Sequence, residues 1–339
     1  MTTSIYSDFA SPTPLPPESG SSGPRPSTLT KPSRAMYAID ANTRAFLFDV
    51  FGTCVDWRKT VTNALYEASE RTLADPASSI APAVRQKASA LTKEAWGDFA
   101  QEWRTTYYHF TRSLARDPSL SWKTVDDHNL DSLRILLHEH GLAQSGEGGD
   151  DSEVVGNLWT DAQVRSMSTI WHRLDPWADT VEGLEILGMS YATVTLSNGN
   201  ISLLKDMQAH SGMRFTHTFS SELFGTYKPN PAIYKGAAEK LGLDVRQCVM
   251  VAAHLGDLEA AKAVGMQTAY IERPQEEASE KEEEAKNKGF VDVWVEAGEG
   301  GFVGLCQKLG IVDQVTSNKA RRRSWSAPAA TTDPEMVPH

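Results

Sequence analysis

Ala45-Phe-Leu-Phe-Asp49-Val-Phe51-Gly-Thr53 is an apolar run that stops at an aspartate and then turns through a glycine to a hydroxyl residue. The run predicts a buried strand over Ala45–Val50, with Asp49 near its carboxyl end and Gly52 letting the backbone turn at once. Open α/β sheets bind ligands at the carboxyl ends of their strands, so a carboxylate held there is a candidate functional group. The plain alternative is a strand closed by a capping Asp. Two positions after Asp49 stands Phe51, which carries no titratable group.

Outward from this stretch the pattern changes character twice. Residues 1–40 are rich in Ser, Pro, Thr and Gly without an apolar period, and they read as disordered, as does the tail over 314–339. From about Lys59 to Glu185 the pattern is helical and rich in aromatic residues, with apolar residues at three- and four-residue spacing in Ala81–Leu114 and Asp126–Glu139. Polar interruptions at Asp75–Ser79 and Gln144–Ser152 read as loops. After Gly188 strands and helices alternate: strands at Ala192–Ser197, Thr216–Ser220, Cys248–Ala252, Gln267–Ile271 and Val291–Val295, helices at Ile201–His210, Pro231–Leu241 and Gly256–Val264. Glu276–Lys288 is a charge run, read as a solvated helix or loop. Such alternation predicts an α/β fold, a Rossmann-like doubly wound parallel sheet. The helical block interrupts it after the first strand. The expected division is therefore a discontinuous core, 41–58 and 188–313, with an inserted α-helical cap over 59–187.

Composition narrows the function classes. At 40% hydrophobic and 23% charged, the chain is an ordinary globular sequence. A formal charge of -11, with its one basic cluster (Arg321–Arg323) in the tail, argues against a nucleic-acid partner. No apolar run is long enough to cross a membrane. Met1-Thr-Thr-Ser-Ile-Tyr6 lacks the charged and apolar regions of a secretory signal. Three cysteines (Cys54, Cys248, Cys306) cannot all pair and have no metal-site spacing, so a reduced, cytoplasmic setting is expected.

Three further segments end predicted strands or turns in polar groups. Thr195-Leu-Ser197-Asn198-Gly199 gives a hydroxyl and an amide, and alone would be an ordinary turn. Tyr227-Lys228-Pro-Asn-Pro-Ala-Ile-Tyr234 holds a lysine extended before proline, and alone would be a surface lysine. Val249-Met-Val-Ala-Ala-His254-Leu-Gly-Asp257 is an apolar strand running into an acid that alone would be a helix cap. Taken together, Asp49, Ser197/Asn198, Lys228 and Asp257 lie at the carboxyl edges of one predicted sheet. In that order they resemble the four signature segments of the haloacid dehalogenase superfamily. The resemblance covers most of residues 44–312.

Phe51 selects a branch. The superfamily's phosphatases use an Asp-x-Asp motif whose second acid protonates an alkoxide leaving group, a contribution of roughly 10²–10⁴-fold. Phe51 can donate no proton, and a halide needs none. In this the chain resembles the (S)-2-haloacid dehalogenase (type II) branch, as it does in Trp103-Arg104, which is otherwise readable as a surface arginine beside a core tryptophan. The resemblance implies a hydrolase in which Asp49 attacks the halogen-bearing carbon of a small carboxylic acid and water then hydrolyses the ester to a 2-hydroxy acid. It assigns Lys228 to keep Asp49 ionised and Asp257 to orient Lys228 and activate water. Thr53, Ser197 and Asn198 would supply hydrogen bonds, Arg104 would hold halide and substrate anion, and Tyr234 occupies the place of a family tyrosine or is simply packed. Phe51, Trp57 and Trp103 would line an apolar pocket. No cofactor and no required metal are implied, and a homodimer is a family expectation. His254 departs from the pattern, standing where an Asn is common and read here as a neutral ring, while Ala252 and Ala253 stand where serines are common. Left open are a Mg²⁺-dependent phosphatase on Asp49 and Asp257, a related hydrolase on a non-halogenated substrate, and an idle binding protein on this fold.

Overall fold

Phe46 and Phe48 of strand β1 (Ala45–Phe48) pack on one face of a sheet while Ala45 and Leu47 pack on the other, all four fully buried. Burial on both faces is why this run shows no polar alternation. The structure, a computed structural model, describes residues 39–144 and 156–311. The segments expected to be disordered (apart from residues 39 and 40) and most of the loop at 144–152 lie outside the described residues.

The sheet adds β2 (Ala192–Ser197), β3 (His217–Ser220), β4 (Cys248–Ala252), β5 (Gln267–Ile271) and β6 (Val293–Val295) in the order β3-β2-β1-β4-β5-β6. All five pairings are parallel. It is the doubly wound α/β sheet that the alternation predicts. β1 stops at Phe48 rather than Val50; the Asp49 N–H makes one last ladder bond, 3.0 Å to the Val251 carbonyl, before the chain turns at Gly52 (φ +81°). The chain passes from β1 to β2 on one side and reaches β4 on the other. The residue after β1 thus lies at the switch point where such sheets bind ligands.

Between β1 and β2 come helices α1 (Trp57–Ala74), α2 (Pro82–Ser89), α3 (Lys93–Arg116), α4 (Val125–Glu139) and α5 (Asp161–Ser168), then a 3-10 turn over Thr169–Arg173. The stretch Ala81–Leu114 splits in two because Thr92 starts α3, its hydroxyl accepting from the Ala95 N–H at 3.2 Å. Trp96, Phe99, Ala100, Trp103 and Tyr107 then form one buried face. The next helix, α6 (Thr180–Gly188), packs beside the sheet against α11 (Gly301–Lys308), where a Cβ on Gly183 would collide with Phe302. Also flanking the sheet are α7 (Ile201–Ser211), α8 (Pro231–Lys240), α9 (Leu255–Ala263) and α10 (Ser279–Lys288). Among the described residues no helix is long and apolar enough to cross a membrane.

His172 ties the helical block to α7. Its Nε2 lies 3.2 Å from Asp126 of α4 and its Nδ1 2.9 Å from Asp206 of α7. Burial works against the charged ring, but the two carboxylates raise its pKa above the ordinary histidine value. A raised histidine contributes stability that is fully present below its unfolded pKa of about 6.5 and is lost as pH rises through the folded value. His172→Gln is therefore expected to cost about 0.5–1 kcal/mol near pH 6, small because Asp206 is largely solvated, and less at alkaline pH, above the folded value. Urea unfolding at the two pH values measures this; a cost independent of pH would rule out the ion pair.

Candidate active site

Asp49 is held by three donors. Its Oδ1 accepts from the Lys228 ammonium at 2.8 Å. Its Oδ2 accepts from the Thr53 hydroxyl at 2.8 Å and faces His254 Nδ1 at 3.0 Å. Thr53 is aimed by the Ala253 N–H, which donates to its oxygen at 2.9 Å and leaves the hydroxyl proton for Asp49. Burial pushes the Asp49 carboxyl up, but Lys228 and His254 outweigh it and hold the group well below the usual carboxylate range. At neutral pH Asp49 is an ionised, largely desolvated carboxylate.

Lys228 bridges two acids, since its ammonium also donates to Asp257 Oδ2 at 2.5 Å. Burial favours its neutral form, yet Asp257 and Asp49 together raise its pKa above the ordinary lysine value. Asp257 is raised, first by burial and further by Asp49, with Lys228 pulling the other way. Its second oxygen accepts from the Tyr234 hydroxyl at 2.5 Å, so that buried tyrosine belongs to the site. Asn198 Oδ1 accepts from the Lys228 backbone N–H at 2.8 Å and from Ser221 at 2.7 Å, fixing the lysine loop rather than touching Asp49. The Ser197 hydroxyl oxygen accepts from the Gly199 N–H in its own turn, at 3.2 Å.

Arg104 enters from α3. It is buried, and its guanidinium lies 4.3 Å from the Tyr107 ring centroid, 4.6 Å from Tyr108 and 5.1 Å from Phe51. Aromatic faces suit a weakly hydrated planar cation. It makes one long hydrogen bond, 3.3 Å to the Tyr108 hydroxyl, its Nε has no partner, and it forms no ion pair among the described residues. Phe51 is packed under it against Gly199. Trp103 does not line the site: its indole N–H points into the helical block, 3.1 Å from Asn129 O and from Ser132 Oγ.

His254 differs most from the neutral ring expected. Its Nε2 lies 3.0 Å from Glu276 Oε2 and 3.1 Å from the Tyr108 oxygen, while Nδ1 faces Asp49. Against burial, Tyr108 and the hydrogen bonds to Asp49 and Glu276 raise its pKa well above the ordinary value. With a carboxylate on each nitrogen, the ring is an imidazolium that donates at both ends. Glu276 is itself almost fully buried and accepts from the Trp57 indole N–H at 2.6 Å. The sequence reading put it at the head of a solvated charge run. The chain instead carries Glu276 back over the site before α10 begins. Glu277 is likewise drawn in, accepting from the Leu255 N–H at 3.1 Å at the start of α9.

Asp49, Arg104, Tyr108, Asn198, His254 and Glu276 share one cavity of about 540 Å³. The Mg²⁺ weighed from the sequence does not fit the donors around it. Both oxygens of Asp49 and both of Asp257 already accept hydrogen bonds, and an ammonium lies between the two carboxylates. Among the described residues no group of three or more His, Cys, Asp or Glu side chains is disposed to hold a metal ion.

The site is thus an ionised carboxylate at the switch point of a parallel sheet, clamped by lysine and faced by an arginine that forms no ion pair among the described residues. The family model for haloacid dehalogenase-like hydrolases matches residues 43–265, and the chain belongs to that family. It is 29% identical over 147 residues to the (S)-2-haloacid dehalogenase of Pseudomonas sp. (strain YL), a match covering 42% of this chain and 63% of that enzyme. A solved L-2-haloacid dehalogenase is similar at 33% identity and TM-score 0.55, covering 69% of this chain and 86% of that one. A solved defluorinating L-2-haloacid dehalogenase is similar at 27% identity and TM-score 0.62, covering 79% and 95%.

Proposed function

We propose that the protein hydrolyses the carbon–halogen bond of a small 2-haloacid. The observation that carries this reading is the pairing of Phe51 with Arg104 over Asp49. Where an alkoxide leaving group would need an acid, the chain places an apolar ring, and above it an unneutralised buried cation suited to an anion. Asp49 attacks the halogen-bearing carbon in line and halide departs toward Arg104, leaving an ester on Asp49. Water then attacks the ester carbonyl, the 2-hydroxy acid leaves, and Asp49 is regenerated. Lys228 keeps Asp49 anionic for the first step, and Asp257, with its raised pKa and its contact to Lys228, receives a water proton in the second. Residues 57–173 act as the cap that brings Arg104 over the core and keeps water from the nucleophile. The three free, buried cysteines suit a cytoplasmic setting.

Halide release from 2-chloropropionate, beside a chromogenic phosphate ester with Mg²⁺, tests the reading. The expected result is halide release without phosphatase turnover; robust phosphate release alone would overturn it, and inactivity on both would favour a different substrate or an idle fold.

A further inference from the structure

The geometry points to a role for His254 and Glu276 that rests on the reading above: His254 is a catalytic hydrogen-bond donor to the ester carbonyl in the hydrolytic step, and Glu276 is the positioning residue that keeps it an imidazolium there. The two oxygens of Asp49 are not equivalent. Oδ2 already accepts from both Thr53 and His254, whereas Oδ1 accepts from Lys228 alone. A carboxylate oxygen has two in-plane lone pairs. Oδ1 therefore keeps one for attack on carbon, and Oδ2 becomes the carbonyl oxygen of the ester.

Two donors converging on that oxygen form an oxyanion hole in place before the reaction begins. Water adds to Cγ of Asp49, losing one proton to Asp257 while the carbonyl electron pair moves to Oδ2. When the intermediate collapses, the electron pair on Oδ2 re-forms the carbonyl and the Cγ–Oδ1 bond breaks with its electrons going to Oδ1, which leaves on the substrate carbon as an alkoxide. The departing alkoxide takes the proton back from Asp257, and the new carboxyl group on residue 49 ionises, releasing the one proton of the net reaction. His254 keeps its own proton throughout.

Esterification is what makes Glu276 necessary. The groups facing the His254 ring are Asp49 just after β1, Tyr108 from α3 and Glu276 after β5; Lys228 and Arg104 stand one hydrogen bond further out, on Asp49 and Tyr108. Once Asp49 is an ester its charge is gone, and both outer cations disfavour a charged ring. Among the described residues Glu276 is then the one carboxylate in contact with it. Trp57 holds that carboxylate, and Gly52 makes room for it, since a Cβ at position 52 would collide with it.

The test is Glu276→Gln, with His254→Asn as a second variant. In Glu276→Gln a rapid burst of halide, one per active site, should survive while steady turnover falls about 10²–10³-fold, the cost of losing one oxyanion donor. The Asp49 ester should then accumulate as a mass increase on the protein, and steady turnover should fall further as pH rises. Nitrogen-15 NMR of the His254 ring gives a readout that needs no substrate: protonated at both nitrogens near neutral pH in the parent, titrating at lower pH in Glu276→Gln. A parent that releases no halide refutes the dehalogenase reading, whereas the ring NMR still decides the pairing. A neutral His254 in the parent, or a Glu276→Gln protein that turns over without trapped ester, or one that loses burst and turnover alike, overturns the present inference.

Discussion

Asp49→Asn is expected to abolish halide release, by about 10⁴-fold or more, while the chain stays folded. The amide is isosteric and keeps an oxygen for Lys228, but it is neutral and does not displace a halide. The companion measurement is a single turnover of the parent in oxygen-18 water. Because water attacks the ester carbonyl, the label should enter Asp49 first and reach the product only in later turnovers. Label appearing in the hydroxy acid during the first turnover would mean that water attacks the substrate directly and that Asp49 acts only as a base.

Lys228→Met should cost about 3–5 kcal/mol at neutral pH, because it removes the cation between two buried carboxylates and leaves Asp257 without one. The dependence on pH carries the sign. In the parent Asp49 sits below the usual range, so it contributes stability above its unfolded pKa of about 3.9, stability that is lost as pH falls through the folded value. With Lys228 gone, Asp49 keeps His254, but Asp257 loses its cation and is left to burial and to the Asp49 charge, both of which raise it. The Asp257 contribution then has the opposite sign: the variant should recover stability relative to the parent as pH falls from about 7 to about 5. Urea unfolding across that range measures it, and parallel curves for the two proteins would show that Lys228 does not neutralise the pair.

The sheet was legible because parallel strands buried on both faces leave unbroken apolar runs, and because Asp49, Lys228 and Asp257 each follow a strand or a proline turn at a place the chain marks locally. Tyr234 reaches Asp257 from the first turn of α8, and Arg104 sits beside the buried tryptophan that the helical period identifies. What stayed hidden depends on contacts that no local pattern encodes. Glu276 meets Trp57 across 219 positions and His254 across 22, from a stretch whose composition reads as solvated. The charge of His254 could not be read without it, since Glu276 supplies the carboxylate on the ring nitrogen that faces away from Asp49. Trp103 is the converse case: it lies next to Arg104 in sequence, yet helix geometry turns the two neighbouring side chains apart.

The packing of Glu276 into the space left by Gly52 links two positions that share no strand or helix. A side chain at 52 would disturb more than the turn: it would displace the acid and, with it, the proton on His254, although residue 52 has no ionisable group of its own. Positions 52, 254 and 276 are therefore expected to change together in related chains. Engineering the turn after β1 would amount to altering the ionisation of the site.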